Sequence, residues 1–283
     1  MQLMRAVDVP ETGRDVLYRA SRLHAVLFVL ITLGGCAAIL YYRWPARKAS
    51  YYIAGAILLL LLALRRFVTA RFHPQNWLVR QGDEGLFIHF RSYLNEGLSG
   101  DDPTVLFLAY SEFRSARPVS EHLTVPDSST QNRTETQILR WVELELTTDP
   151  APIAAALDAE GSRSGATEKH WYGSSTTLYR DYPALMQVPP FLRLRWAVVP
   201  GAGAFLDALR DRVEILPKVV VKTDFVNLQY LPAEEQKRKL LELDRRGQRI
   251  AAVYLAQRLH RCTLAEATAI VNDLQKGSEA QHK

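Results

Sequence analysis

Cysteine is nearly absent from this chain of 283 residues, which contains only two. Cys36 lies in a long apolar run and Cys262 lies in a helical pattern near the other end, so we expect no disulfide between them. A chain without disulfides suits the reducing cytosol. The Cys-x-x-Cys spacing of common zinc sites does not occur, which excludes that class of metal protein.

The motifs of the common enzyme classes are missing as well. The sequence has no His-Glu-x-x-His and no Gly-x-Ser-x-Gly, and four of its histidines are scattered: His73, His89, His122 and His170. Residues 201–204 (Gly-Ala-Gly-Ala) lack the rest of a dinucleotide-binding fingerprint, so we interpret them as a helix start. We therefore predict a non-enzymatic chain with no catalytic, cofactor-binding or metal-ligating residues. The alternative is a membrane-bound enzyme or enzyme subunit whose site is assembled from residues distant in sequence.

The charge balance is mildly basic, with 35 Lys and Arg against 30 Asp and Glu and a formal net charge of +5. Much of the excess flanks two long apolar runs, where anionic lipid headgroups would account for it. A nucleic acid is not needed to explain this charge, and we predict that the chain does not bind one.

Two apolar runs in residues 22–70 predict a transmembrane hairpin. Residues 23–42 contain no charged side chain, and a helix of that length spans about 30 Å, the thickness of the hydrocarbon core. Residues 50–64 form a shorter run, which Arg65 and Arg66 can extend by snorkelling to the headgroups. Pro45 breaks the helix between the two runs.

Basic residues set the predicted orientation of this hairpin. The arginines before it are Arg5, Arg14, Arg19 and Arg22, those after it are Arg65, Arg66, Arg71 and Arg80, and the loop has Arg43, Arg47 and Lys48. Because the more basic flanks stay inside, we predict a multi-pass inner-membrane protein with both termini in the cytosol. A cleaved signal peptide is the alternative for the first run, but that run starts late, is long and lacks a small-x-small cleavage site.

Small residues occur in both runs, including Gly34, Gly35 and Gly55. They would let the two helices approach closely, or would let copies of the chain associate as a homo-oligomer. The competing interpretation is that they fill generic membrane helices, in which small residues are common.

Residues 76–216 have the pattern of a β domain, with alternating apolar residues and β-branched and aromatic side chains bounded by turns. We predict strands at 77–81, 86–90, 105–110, 115–119, 138–147 and 192–196, helices at 151–159 and 201–213, and a flexible excursion at 161–175. His89 alternates with apolar neighbours and is interpreted as solvent-facing. Residues 1–21 are predicted to be a cytosolic tail with a flexible start, and residues 217–230 a linker or an extra strand.

Several antiparallel strands followed by one helix resemble the pleckstrin-homology-like (PH-like) domains of bacterial membrane-anchored proteins. The hairpin at 77–90, the step at 108–113 and the strand plus helix at 192–213 carry the likeness. The resemblance implies an α+β fold with a capping helix and a binding or scaffolding role. No lipid-headgroup motif can be matched residue by residue, and a different small β-sandwich with a helix is the alternative.

Residues 231–275 predict a small module of three helices, and residues 276–283 a disordered tail. Pro232 begins the first helix, with acidic residues in its first turn. Thr263 and Glu266 have the spacing of a capping box for the third helix.

The helical pair at 249–274 resembles the helix-turn-helix pair in the C-terminal domain of the ribosomal stalk protein L7/L12. Its turn carries Cys262 and Thr263, and Ala265 and Thr268 stand where that family has its lysines. The resemblance therefore implies a shared shape and leaves ribosomal function without support.

Together these patterns predict a membrane-anchored cytosolic binding or scaffold protein. Its expected partners are the lipid bilayer and a protein of unknown identity, with a second copy of the chain as a further candidate and no cofactor. Contact with the membrane surface is predicted for five arginines: Arg65, Arg66, Arg71, Arg193 and Arg195. The last two share the basic face of one strand, for which a solvated face is the competing interpretation.

Overall fold

The computed structural model describes residues 1–10, 13–42, 52–53, 55–57, 59, 61–62, 68–92, 95, 102–126, 134–161, 167–170, 173–176, 181–224, 228–245 and 249–280. Within these ranges the protein is a mixed α+β structure with antiparallel sheets, which confirms the predicted fold class at that level. Most buried apolar residues belong to two cores, one between two sheets and one beneath the C-terminal helices.

The first sheet combines strands from both sides of the long apolar segment. Its strands are β1 (Gln2–Met4), β2 (Val16–Tyr18), β3 (Val79–Gln81), β4 (Gly85–His89) and β5 (Val105–Ala109), in the spatial order β1-β5-β4-β3-β2. All neighbours are antiparallel, and the β3–β4 pair confirms the hairpin predicted in residues 77–90. Residues 1–21 were predicted to be a tail with a flexible start, and the flexible start is wrong, because these residues contribute β1 and β2, the two edges of this sheet.

The second sheet is built around β6 (Phe113–Pro126) and β7 (Thr134–Leu146), a long antiparallel pair that we call the ribbon. The later strands are β8 (Thr167–His170), β9 (Gly173–Thr176), β10 (Ala184–Val188), β11 (Phe191–Arg195), β12 (Glu214–Ile215) and β13 (Val219–Asp224). β10, β11, β7 and β6 follow one another, and β12 and β13 run parallel to β6. β8 and β9 pair with each other, so the excursion predicted to be flexible contains a hairpin.

The helices largely follow the predicted positions. They are α1 (Arg22–Tyr42), α2 (Ala151–Gly161), α3 (Ala202–Leu209), α4 (Ala233–Arg245), α5 (Arg249–His260) and α6 (Leu264–Ala280). α6 extends into the tail that was predicted to be disordered at 276–283, and residues 281–283 lie outside the described residues.

The main core lies between the two sheets, and we call this unit the sandwich. Leu106 of the first sheet and Leu144 of the second are fully buried there. Phe205 of α3 packs against Tyr18 and Trp196, with ring centroids 5.0 and 4.6 Å away. Tyr18 belongs to β2, so residues that precede α1 are an integral part of the sandwich.

A second core lies beneath α4, α5 and α6, which together form the helical module. Leu123 of β6 is buried against residues of all three helices: Leu240, Leu243, Ala252, Leu255, Ala256, Ala267 and Val271. Ala116 faces the sandwich and lies an odd number of positions from Leu123, and strand side chains alternate between faces. The near half of the ribbon (113–118 and 142–146) therefore supports the sandwich, and the opposite face of its far half (119–126 and 134–141) supports the module.

α1 has the length and composition to cross a membrane, and its Arg22–Ile39 window is only 6% buried within the protein. Among the described residues it is the one helix of this kind, so the predicted two-helix hairpin is not seen. The second predicted run, 50–64, lies partly outside the described residues, and its described positions are helical. Apart from the neighbouring backbone of the same helix, no described atom lies within 4 Å of a Cβ built on Gly34, Gly35 or Gly55, so close packing of another segment against these glycines is not seen among the described residues.

Candidate functional site

The start of α1 forms a compact junction with the sandwich, which we call the helix root (residues 19–25, 70–73 and 196–200). Only residues 19–21 separate β2 from α1. Arg19 and Val199 pair through their backbones, with N–H···O distances of 3.0 and 2.8 Å. The Ser21 hydroxyl accepts a hydrogen bond from the His24 N–H at 3.2 Å and so caps the helix. The sheet therefore fixes the position at which α1 begins.

The chain returns to the sandwich at the same place. The Arg22 guanidinium donates to the carbonyl oxygens of Arg71 and Phe72 at 3.3 and 3.4 Å and lies 5.8 Å from the centroid of the Phe72 ring. The Asn76 side chain donates to the Arg71 carbonyl at 2.8 Å. The points at which the chain leaves the sandwich and rejoins it are therefore in direct contact.

The outer surface of the helix root combines apolar and cationic side chains. Three large apolar residues are exposed: Leu23 at 65%, Phe72 at 44% and Val199 at 44%. Three arginines belong to the root: Arg19, Arg22 and Arg71. Its three segments contain no aspartate and no glutamate. Apolar side chains among cations, without acidic residues, suit contact with anionic lipid headgroups.

A small cavity lies beside the root, with a volume of about 50 Å³. Its lining includes Ala20, Asn76, Arg91, Asp181 and Arg195. Arg195 forms an ion pair with Asp181. This volume suits a few water molecules and is far below the roughly 300–1,000 Å³ of ordinary ligand pockets. The cavity therefore does not favour a small-molecule site.

Arg91 ties three distant parts of the chain together behind this cavity. Its Nε lies 2.5 Å from a Glu160 oxygen and its Nη2 lies 2.7 Å from an Asp102 oxygen, with Arg91 and Glu160 both buried. Burial alone would lower the pKa of Arg91, but the two carboxylates outweigh that effect and raise it. The guanidinium remains charged, and its role is to hold α2 against the sandwich.

The five arginines predicted to contact the membrane surface do not act as one group. Arg193 donates to the buried carboxylate of Glu143 at 2.7 Å, and Arg195 is paired with Asp181. Each of these two arginines is therefore paired with an acidic residue, Arg193 across the sheet and Arg195 with a residue that precedes β10, and their contact with the membrane surface stays a prediction. Arg71 belongs to the helix root, whereas Arg65 and Arg66 lie outside the described residues.

His89 is buried, so the interpretation as a solvent-facing residue is wrong. Its ring lies 5.3 Å from that of Trp77, and its Nε2 lies 3.3 Å from the Thr104 hydroxyl. Burial lowers the pKa of His89 to about 4, so the ring is neutral at pH 7. His89 is therefore part of the packed interior beside Trp77.

The sequence analysis missed Phe72 and Val199 as members of the root. Phe72 lies between the predicted hairpin (22–70) and the predicted β domain (76–216), and Val199 follows the last predicted strand of that domain. The residues that meet there are far apart in sequence, and they are brought together by the backbone pairing of Arg19 with Val199 and by the hydrogen bonds of Arg22 to residues 71 and 72. The basic residues flanking the first apolar run were the one local signal for this surface.

The described residues contain no group of three or more His, Cys, Asp or Glu side chains able to hold a metal ion. Comparisons of the chain with protein-family models, with curated proteins and with solved structures found no match.

Proposed function

We propose that this chain is a membrane-anchored, cytosolic binding or scaffold protein that holds a protein partner at the inner membrane. Its β domain would be carried by a two-span hairpin, with the chain on both sides of the hairpin in the cytosol. The single observation that carries the proposal is the antiparallel pairing of β2 with β3, two strands that flank the whole apolar segment.

Pairing of this kind limits the number of membrane crossings. Tyr18 is paired with Val79, and an open sheet of this kind does not extend through the hydrocarbon core of a bilayer. The crossings between these two residues must therefore be even in number. In this proposal α1 would be the first crossing, and the segment that contains the described helical positions between 52 and 62 would return.

The layout of the sandwich is compatible with a PH-like platform. β3, β4 and β5 are successive antiparallel neighbours in one sheet, and β6 and β7 are neighbours in the other, where β11 pairs with β7 and β10 lies beyond β11; α3 comes next in the chain. A rigid platform beside the membrane, with a helical module on the far half of the ribbon, suits the recruitment of a partner better than catalysis. The cavity next to the root is too small to favour an enzyme.

The topology can be tested by cysteine labelling in a variant that carries Cys36→Ala and Cys262→Ser. Single cysteines would replace Val7, Ala46 or Glu84, and bacterial spheroplasts would be treated with a membrane-impermeant maleimide. We expect Ala46→Cys to react in intact spheroplasts, and Val7→Cys and Glu84→Cys to react only after lysis. Reaction of only one of the latter two in intact spheroplasts would contradict an even number of crossings.

The binding role requires a separate test. Affinity purification in mild detergent would compare the full chain with a chain that ends at Leu231 and therefore lacks the helical module. We expect a protein to be recovered with the full chain in a constant ratio, and we expect the shorter chain to lose it if the module provides the contact. If each chain is recovered without a bound protein, and the full chain turns over a substrate, the result would favour the enzyme alternative instead.

A further inference from the structure

We infer that the sandwich sits directly on the bilayer, with Leu23, Phe72 and Val199 at the interface and Arg19 facing anionic lipid headgroups. This inference rests on the proposed function, because it requires α1 to cross the membrane. It adds that the domain contacts the lipid surface in one fixed orientation, through the helix root.

The first step of the argument is the rigidity of the junction. Ala25, in the second turn of α1, is buried against the rest of the protein. The backbone bridge of Arg19 with Val199 and the hydrogen bonds from Arg22 to residues 71 and 72 hold both ends of the apolar segment. A helix held in this way cannot act as a loose tether, so the surface around its start faces the membrane that it enters.

The second step is the composition of that surface. Phe72 and Val199 belong to segments more than a hundred residues apart, yet each exposes 44% of its surface beside the same helix. Exposed apolar residues of this kind gain free energy at the headgroup boundary, and each nearby arginine is attracted to anionic lipid. The absence of acidic residues from the root removes the main source of repulsion.

The third step is the contrast with the opposite end of the sandwich. The turn between β3 and β4 carries Asp83 and Glu84, which are exposed and acidic. Glu84 immediately precedes β4 and His89 ends it. At about 3.3 Å per residue in a strand, the two residues are roughly 17 Å apart. His89 lies beside Trp77, close to the root. Glu84 therefore provides a reference position on the same hairpin, away from the root.

The test uses spin labels on the full chain in vesicles that contain phosphatidylglycerol, again without native cysteines. Labels would replace Leu30, Phe72, Val199 or Glu84, and the accessibility of each label to oxygen and to a water-soluble nickel chelate would report its depth. We expect the Leu30 label to be deep in lipid, the Phe72 and Val199 labels to lie at the headgroup boundary, and the Glu84 label to be in water.

The outcomes separate the two proposals. If the Leu30 label is in water, the anchor fails and so does the proposed function. If the Leu30 label is deep in lipid while the Phe72 and Val199 labels are as accessible to water as the Glu84 label, only the contact of the helix root with the lipid surface is overturned. The third outcome is that the spectra of the Phe72 and Val199 labels are broadened by spin–spin interaction, and that this broadening disappears on dilution with unlabelled chain. A second copy of the chain then covers the surface, and the lipid assignment is wrong.

The charge component has its own test. Arg19→Glu leaves the bridge to Val199 intact, because backbone atoms make it. We expect this variant to shift the Val199 label toward water in phosphatidylglycerol vesicles, and to leave it unchanged in phosphatidylcholine vesicles. An equal shift in both lipids would contradict an electrostatic contact with the headgroups.

Discussion

The two halves of the ribbon use opposite faces to build their cores. In the near half, Ala116 and Leu144 pack into the sandwich, whereas in the far half Leu123 and its neighbour Leu139 pack against the helical module. One continuous ladder of backbone hydrogen bonds runs through both halves. The comparison teaches that two cores can share a backbone without sharing a side chain.

The outer face of the ribbon changes character at the same place. In the near half it carries Glu143, which is paired with Arg117 and Arg193. At the boundary, buried Glu121 accepts hydrogen bonds from Trp141 Nε1 at 3.1 Å and from the Thr223 hydroxyl at 3.2 Å. Where the helices cover the face it is apolar, and where they do not, its charges are neutralised in pairs.

The largest expected effect separates the two cores directly. Leu144→Ala and Leu123→Ala each remove a fully buried side chain and should lower the free energy of unfolding of their own core by about 2–5 kcal/mol. Hydrogen exchange by mass spectrometry in detergent would follow peptides of the sandwich and of the module. Faster exchange in both cores for both variants, to the same extent, would show that the cores unfold as one unit.

A second test uses acid to weaken the sandwich at His89. Burial lowers the pKa of His89 from 6.5 to about 4, so the unfolded chain binds the proton more readily between those values. The stabilisation is complete above pH 6.5 and is lost as the pH falls to about 4, a total of about 3 kcal/mol. Urea denaturation in micelles, followed by tryptophan fluorescence, would measure this slope. The same slope in His89→Gln would assign the acid sensitivity to other groups.

The smallest expected effect lies in the module. The Thr263 hydroxyl accepts a hydrogen bond from the Glu266 N–H at 3.3 Å, and the Glu266 carboxylate accepts one from the Thr263 N–H at 2.8 Å, which confirms the predicted capping box. Thr263→Ala should destabilise the module by about 1 kcal/mol. Thr268→Ala is the matched control, since its hydroxyl bonds within the helix to the Leu264 carbonyl. Exchange in the sandwich should not change in either variant.

Elements set by neighbouring residues could be predicted from the sequence. The β3–β4 hairpin, α2 and the capping box at Thr263 each depend on a few adjacent side chains, and the structure contains all three. β1 and β2 are three residues long, and their partner strands lie far along the chain. No local period marks such strands, so the sequence predicted only a tail with a flexible start at these positions.

The candidate site was harder to predict for the same reason. Alternation correctly placed Arg193 and Arg195 on one face of β11, but it could not reveal that Glu143 of β7 lies beside Arg193. His89 was misjudged because Trp77 and Thr104 cover it from separate segments. In each case the environment of a side chain is decided by strand order, which the local pattern does not contain.

The pairing of β2 with β3 has a consequence for biosynthesis in the proposed topology. During translation β2 emerges first and has no partner until the whole apolar segment has been made and inserted. The entropic cost of joining the strands grows with the length of chain between them. In that topology, insertion would place the two ends of the segment on the same side of the bilayer, and contacts such as Arg22 with Phe72 would then hold them together. The bilayer would thus act as a folding template for the domain outside it.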